Sequence, residues 1–123
     1  MGYIDGVILA VPETNKDAYR DFASAMAALF IEYGATEVVD TWGSDVPDGE
    51  LTSFPMAVRR APGEAVVFGW VRWPSRAVRD EAWPRVMSDP RMTGPEAQAA
   101  DDLFDGKRMI FGGFEVIQHM RSD

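Results

Sequence analysis

Cysteine is absent from this chain and histidine occurs once, at His119. Thiolate metal centres, disulfides and thiol nucleophiles therefore have no ligands to draw on, and one chain cannot assemble a multi-histidine metal site. No metal or cofactor is expected. His119 could serve as a base near neutral pH, but only if the C-terminal tail folds over a pocket; the plainer reading is a frayed end. The residues with more to offer are aromatic and cationic. Trp42, Phe68, Trp70, Trp73 and Trp83 are enough to line a small-molecule cavity, and equally enough to fill a sheet interface. Arg72, Lys107 and Arg108 could hold a carboxylate or phosphate beside them, although Asp105-Gly106-Lys107-Arg108 also reads as a solvated turn. The candidate ligand set is Trp42, Phe68, Trp70, Arg72, Lys107 and Arg108. A second set, the carboxylates Asp5, Asp45, Asp48 and Glu64, could act as acid and base or hold a hard cation; Asp45 and Asp48 are more simply turn formers. There is no phosphate loop, dinucleotide fingerprint or nucleophile triad.

These side chains must be carried by one modest domain spanning residues 1–123, since 123 residues with 46% hydrophobic content support a single core. A net charge of −8 sets a field that repels phosphate and argues against nucleic acid as a general partner. No apolar run approaches the roughly 20 residues of a membrane span and no leader is recognisable, so a cytoplasmic location is expected.

The positioning elements follow from periodicity. Tyr3 to Val11 and Ala65 to Trp73 read as strands apolar on both faces, the second bounded by Pro62-Gly63 and Pro74. Between them, Tyr19, Phe22, Ala23, Met26, Leu29, Phe30 and Tyr33 form a helical stripe that begins at a Thr14 cap and closes at Gly34. Thr36 to Trp42 is a short strand, followed by a Pro-Asp-Gly turn at 47–49. Leu51 to Arg60 suits either a strand or a short helix, and Ser53 followed by Pro55 favours the helix. Ser75 can cap a second helix with Val78, Ala82 and Val86 inward and Arg76, Arg79, Asp80 and Arg85 outward. Pro84 predicts a kink or break near Ala82 and Trp83. Pro95 to Asp102 reads as a surface helix, and Met109 to Ile117 as the last strand.

The order β-α-β-β-α-β points to an α+β, ferredoxin-like fold with a four-stranded sheet of antiparallel type. Its two helices cover one face only. With the first and third strands in the middle and taken as parallel, Arg72, Trp73, Lys107 and Arg108 gather at one end of the sheet, and Asp5, Trp42, Asp45, Asp48 and Glu64 at the other. The uncovered face is too apolar for a monomer, which predicts a homodimer through the sheet faces. Gly69 marks its own side as the helix or pocket side, so Phe68 and Trp70 face the partner; Gly6, Gly69, Gly112 and Gly113 leave room for another layer or a ligand.

Several segments carry a family resemblance: Trp42-Gly43-Ser44-Asp45-Val46-Pro47-Asp48-Gly49, the strand from Val66 to Trp73 with Pro74-Ser75, Asp89-Pro90-Arg91-Met92, and the run from Phe104 to Phe114. Together with Ile4-Asp5-Gly6 they resemble the small bacterial DUF1428 family nearly end to end. The resemblance implies the dimeric α/β-barrel superfamily, in which two such sheets face each other across a two-fold axis. The family brings no established activity. The functional expectation is a small cytoplasmic homodimer that binds a small aromatic or carboxylated molecule between sheet and helices. The superfamily supplies an alternative, a cofactor-free monooxygenase- or isomerase-like enzyme. A label on some members supplies a disfavoured one, an RNA-associated protein.

Overall fold

The computed structural model describes residues 2–95 and 100–122. Four strands, β1 (Tyr3–Pro12), β2 (Glu37–Trp42), β3 (Glu64–Trp73) and β4 (Ile110–Glu115), form one sheet in the order β2-β3-β1-β4. The helices are α1 (Lys16–Glu32), α2 (Phe54–Ala57), α3 (Arg76–Ser88) and α4 (Pro90–Thr93). The fold is the expected α+β, ferredoxin-like one. Both long strands are central because only there are both faces and both edges used. They pair along their whole length, from Tyr3 opposite Trp73 to Pro12 opposite Glu64.

That pairing is antiparallel, as are the other two, and it corrects the expectation of parallel central strands. Each helical crossover returns the chain in the same direction, so β1 runs with β2 and β3 with β4; the loop between β2 and β3 reverses it. The C-terminal end of β3 therefore lies beside the start of β1. Trp73 and Arg72 consequently share an end with Tyr3 and Asp5, while Lys107 and Arg108 lie at the other end with Glu64.

Side chains alternate across the sheet. Odd-numbered positions of β1 and β3 face α1 and α3. One cluster under the helices joins Tyr3, Leu29, Phe30, Trp73, Ala82 and Val86, and a second joins Leu9, Val11, Tyr19, Ala23 and Val67. α1 starts one residue later than expected, after a 3-10 turn at Glu13–Asn15 and without a side-chain cap. Thr14 lies within that turn, and the Asn15 amide donates to the Leu103 carbonyl instead. At its other end Gly34, at φ +120°, closes the helix with amides of Gly34 and Ala35 on the carbonyls of Ile31 and Phe30.

α3 is unbroken through Pro84, contrary to the expected break. Proline removes a single amide, and the Asp80 carbonyl it would have served belongs to an exposed residue. Ser75 caps the helix by accepting from the Val78 amide. Arg79 does not face out; its side chain turns inward to Asp5. Of the surface helix expected over Pro95 to Asp102, Ala100–Asp102 forms a 3-10 turn, and 96–99 lie outside the described residues. A third 3-10 turn, Gly106–Arg108, precedes β4, which starts at Ile110.

The even face is not wholly bare. The chain between β2 and β3 folds across one end of it, where Val58 packs on Ala10 and Val66. α2 forms as expected, with Ser53 accepting from the Met56 amide. Phe54 at its start meets the Phe68 ring edge-on at 6.1 Å. The rest of that face leaves Phe68, Ile110 and Phe114 exposed. The glycine spaces are filled from within the chain: the Phe114 ring lies over Gly6 and Gly112, and Tyr3 and Arg79 crowd Gly113.

Candidate functional site

Two polar constellations occupy the helix-covered face. The first is centred on Asp5, a buried carboxylate. Trp73 Nε1 donates to its Oδ2 at 2.8 Å and Trp83 Nε1 to the same oxygen at 2.9 Å. Arg79 donates through Nε and Nη2 to Oδ1 at 3.0 and 2.8 Å. The guanidinium also lies 5.3 Å from the Tyr3 ring centroid. Its bond to Asp5 holds the Arg79 pKa above its ordinary value. Both carboxylate oxygens are fully engaged, so this cluster ties β1, β3 and α3 together and has no free lone pair for chemistry. Trp73 and Trp83 belong to it and to the core.

The second is a cavity of ≈ 400 Å³ between α1 and the edge strand β2. β2 presents Val38, Asp40 and Trp42, alternate residues on one face; α1 presents Lys16, Tyr19 and Arg20, one turn apart. Ala23 and Ala27 continue the helical stripe, and their small size keeps the space open. Lys16 Nζ lies 5.6 Å from the centroid of the Trp42 ring, a cation–π placement. Arg20 is turned to Asp17 at 3.7 Å and Asp21 at 3.6 Å. Asp40 pairs in register with Gly69, and a methyl group on Gly69 would come within 2.7 Å of its Oδ1. One carboxylate oxygen thus lies over the glycine, while the residue stays exposed at the cavity wall. Its desolvation there raises its pKa, and burial followed by the Asp40 charge raises that of Tyr19. No hydrogen-bond donor or cation engages Asp40 among the described residues.

Of the six candidate ligand residues, only Trp42 lines this cavity. Phe68, Trp70 and Arg72 are even-numbered residues of β3 and occupy the opposite face. Arg72 Nη2 lies 3.2 Å from His119 Nδ1, so the lone histidine is exposed beside the sheet rather than folded over the cavity. Arg108 makes a two-pronged pair with Glu64 at 2.8 and 2.7 Å and also donates to Asp105; its bond holds the Glu64 pKa below the usual carboxylate range. Lys107 is exposed, with its backbone amide on Asp105. The expected gathering of Arg72 and Trp73 with Lys107 and Arg108 does not occur, because antiparallel strands send them to opposite ends; Asp5 is likewise separated from Trp42 and Glu64. Among the described residues no group of carboxylates and histidine could hold a metal ion.

Sequence reasoning passed over Lys16, Tyr19, Arg20 and Asp40 as site residues. The signal was present: Asp40 and Trp42 are two apart on a strand, and Lys16, Tyr19 and Ala23 recur at helical spacing. What was missing was the knowledge that α1 lies over β2 with alanines between them.

The family model described as "Protein of unknown function (DUF1428)" matches residues 2–106. Uncharacterized protein YbaA of Escherichia coli strain K12 is 52% identical over 118 residues, which is 95% of this chain and 97% of that protein. Among solved structures, a dimeric ferredoxin-like protein from an uncultured marine organism matches with a TM-score of 0.64 at 7% identity, covering 97% of this chain and 98% of that one. Rv0793 from Mycobacterium tuberculosis matches with a TM-score of 0.59 at 14% identity, over 98% and 100% of the two chains. A mutant of SnoaB, a cofactor-independent oxygenase from Streptomyces nogalater, matches with a TM-score of 0.54 at 15% identity, over 98% of each. At these identities the likeness is one of fold.

Proposed function

The chain belongs to the DUF1428 family, and from that premise we propose that it is a homodimeric small-molecule-binding protein whose ligand is a small aromatic acid held in the α1–β2 cavity. The observation that carries this reading is the pairing of the Lys16 ammonium with the Trp42 ring at the wall of a ≈ 400 Å³ space. That volume suits a one- or two-ring molecule. Lys16 has no ion-pair partner among the described residues, so its charge is available to a ligand carboxylate while the indole takes the ring. The dimer forms through the even face of the sheet, where Phe68, Ile110 and Phe114 are exposed together. Titration calorimetry with benzoate tests the cavity: saturable binding is expected, weakened about tenfold or more by Lys16→Ala and by Trp42→Ala. Absence of binding, or binding indifferent to both substitutions, overturns the reading.

A second reading, cofactor-free oxygenase- or isomerase-like chemistry, is favoured by one observation. Asp40 is an unengaged carboxylate whose pKa is raised by desolvation, which makes it a stronger base than an ordinary aspartate. In the isomerase form it would take a proton from a carbon beside a carbonyl and return it elsewhere on the same substrate. Exchange of deuterium from the solvent into an enolisable aromatic ketone, lost in Asp40→Ala, is the expected result; exchange equal to buffer alone removes this reading. The net charge of −8 speaks against the RNA-associated alternative.

A further inference from the structure

We propose that Asp40 is the specificity-determining acceptor of this cavity and selects aromatic acids carrying a ring hydroxyl over the same acids without one. The inference rests on the aromatic-acid reading above and adds the second polar pole of the ligand. Three buried or half-buried carboxylates elsewhere in the chain are each matched by donors. Asp5 has two indoles and Arg79; Glu64 has Arg108 and the Ala61 amide; Asp89 has Arg91 and Tyr33. Asp40, on the same face of the sheet as Asp5, is instead exposed at the cavity wall and has no such partner among the described residues, so its oxygens are accessible to a ligand.

Its position is built rather than incidental. Gly69, directly across in the register, leaves the space that Oδ1 occupies, and a side chain at that position would push Oδ1 away. Neither cation of the cavity wall engages Asp40: Lys16 lies over the Trp42 ring and Arg20 is turned to Asp17 and Asp21. The neighbouring Asp17 supplies a further negative charge rather than a donor. A ligand hydroxyl reaching this accessible carboxylate would replace water with a charge-assisted hydrogen bond.

The cavity therefore has distinct poles. Lys16 attracts the ligand carboxylate, the Trp42 indole packs on the ring, and Asp40 repels a second anionic group while accepting from a hydroxyl. A ring lacking that hydroxyl makes no bond to Asp40, and a site that uses such an acceptor discriminates by the bond the poorer ligand cannot make.

The experiment is calorimetric titration of the wild-type protein, Asp40→Ala and Gly69→Ala with benzoate and with 2-, 3- and 4-hydroxybenzoate. In the wild type, one hydroxybenzoate isomer is expected to bind at least about tenfold tighter than benzoate. Asp40→Ala should abolish that preference and leave benzoate bound at least as well as before. Gly69→Ala keeps the carboxylate but displaces it and should reduce the preference too; circular dichroism checks that this variant is folded, and Asp40→Ala decides the matter if it is not. A hydroxyl preference that survives Asp40→Ala overturns the inference. So does equal binding of benzoate and all three isomers that still depends on Lys16 and Trp42, a result that leaves the aromatic-acid reading standing. Failure of every one of these acids to bind overturns both.

Discussion

Asp5 and Asp40 lie on the same side of the sheet, and they differ in burial and in partners. Asp5 is surrounded by donors and holds three elements together. Replacing it with asparagine removes the charge that Arg79 is paired with in a mostly buried site, with side-chain exposures of 12% and 22%. Asp5→Asn is expected to lower unfolding free energy by about 3 kcal/mol in urea denaturation. Asp40 works in the other direction. A carboxyl whose folded pKa is raised stabilises the fold only while protonated, and that contribution is lost as pH rises through the folded value. Asp40→Asn should therefore raise the thermal midpoint at pH 7. The gain should vanish well below pH 4, where the group is protonated in both states. Glu64 and Asp89 have the opposite sign: their arginine partners lower their pKa values, so their contribution is present above the ordinary carboxylate range and is lost as pH falls through the lowered values. A residue that costs stability at neutral pH and is nonetheless unengaged marks a binding position better than one that contributes to it.

At the scale of elements, local chemistry was legible where a residue acts on its immediate neighbours. Ser53 and Ser75 cap α2 and α3 as their positions required, and Gly34 ends α1 in a left-handed conformation. Gly34→Ala is expected to cost about 1–2 kcal/mol in chemical denaturation, because an L side chain is strained there and its methyl would also lie 3.0 Å from Val78 Cγ1. The misreadings at this scale share one cause. Thr14 as a cap, a break at Pro84 and an outward Arg79 were each judged from the segment alone. Each was decided by the surroundings in the folded chain: the contact of Asn15 with Leu103, the exposure of Asp80 and the Asp5 carboxylate across the core.

For the whole molecule, the even face of the sheet is the remaining unpartnered surface described above. Phe114 is 62% exposed and Phe68 42%, and a second copy is the occupant that the reading above assigns to them. Equilibrium sedimentation is expected to give a dimer for the wild type and a monomer for Phe114→Asp, with the far-ultraviolet circular dichroism of the two alike, since so exposed a ring adds little to the protomer's own core. A wild-type monomer would remove the assembly reading. Among the described residues no helix is long and apolar enough to cross a membrane.

The α+β class, the order of elements, the central place of the two doubly apolar strands and the family were all determined by the sequence itself, because periodicity, caps and motifs are local properties. The antiparallel type of the sheet was expected as well, but the relative direction of the two central strands, and with it which charged groups share an end of the sheet, was decided by the tertiary structure, since a run of alternating apolar residues is the same read parallel or antiparallel. The cavity belongs to that second kind. Lys16 and Asp40 are separated by a whole helix, and neither spacing nor composition brings them together until α1 is laid across β2.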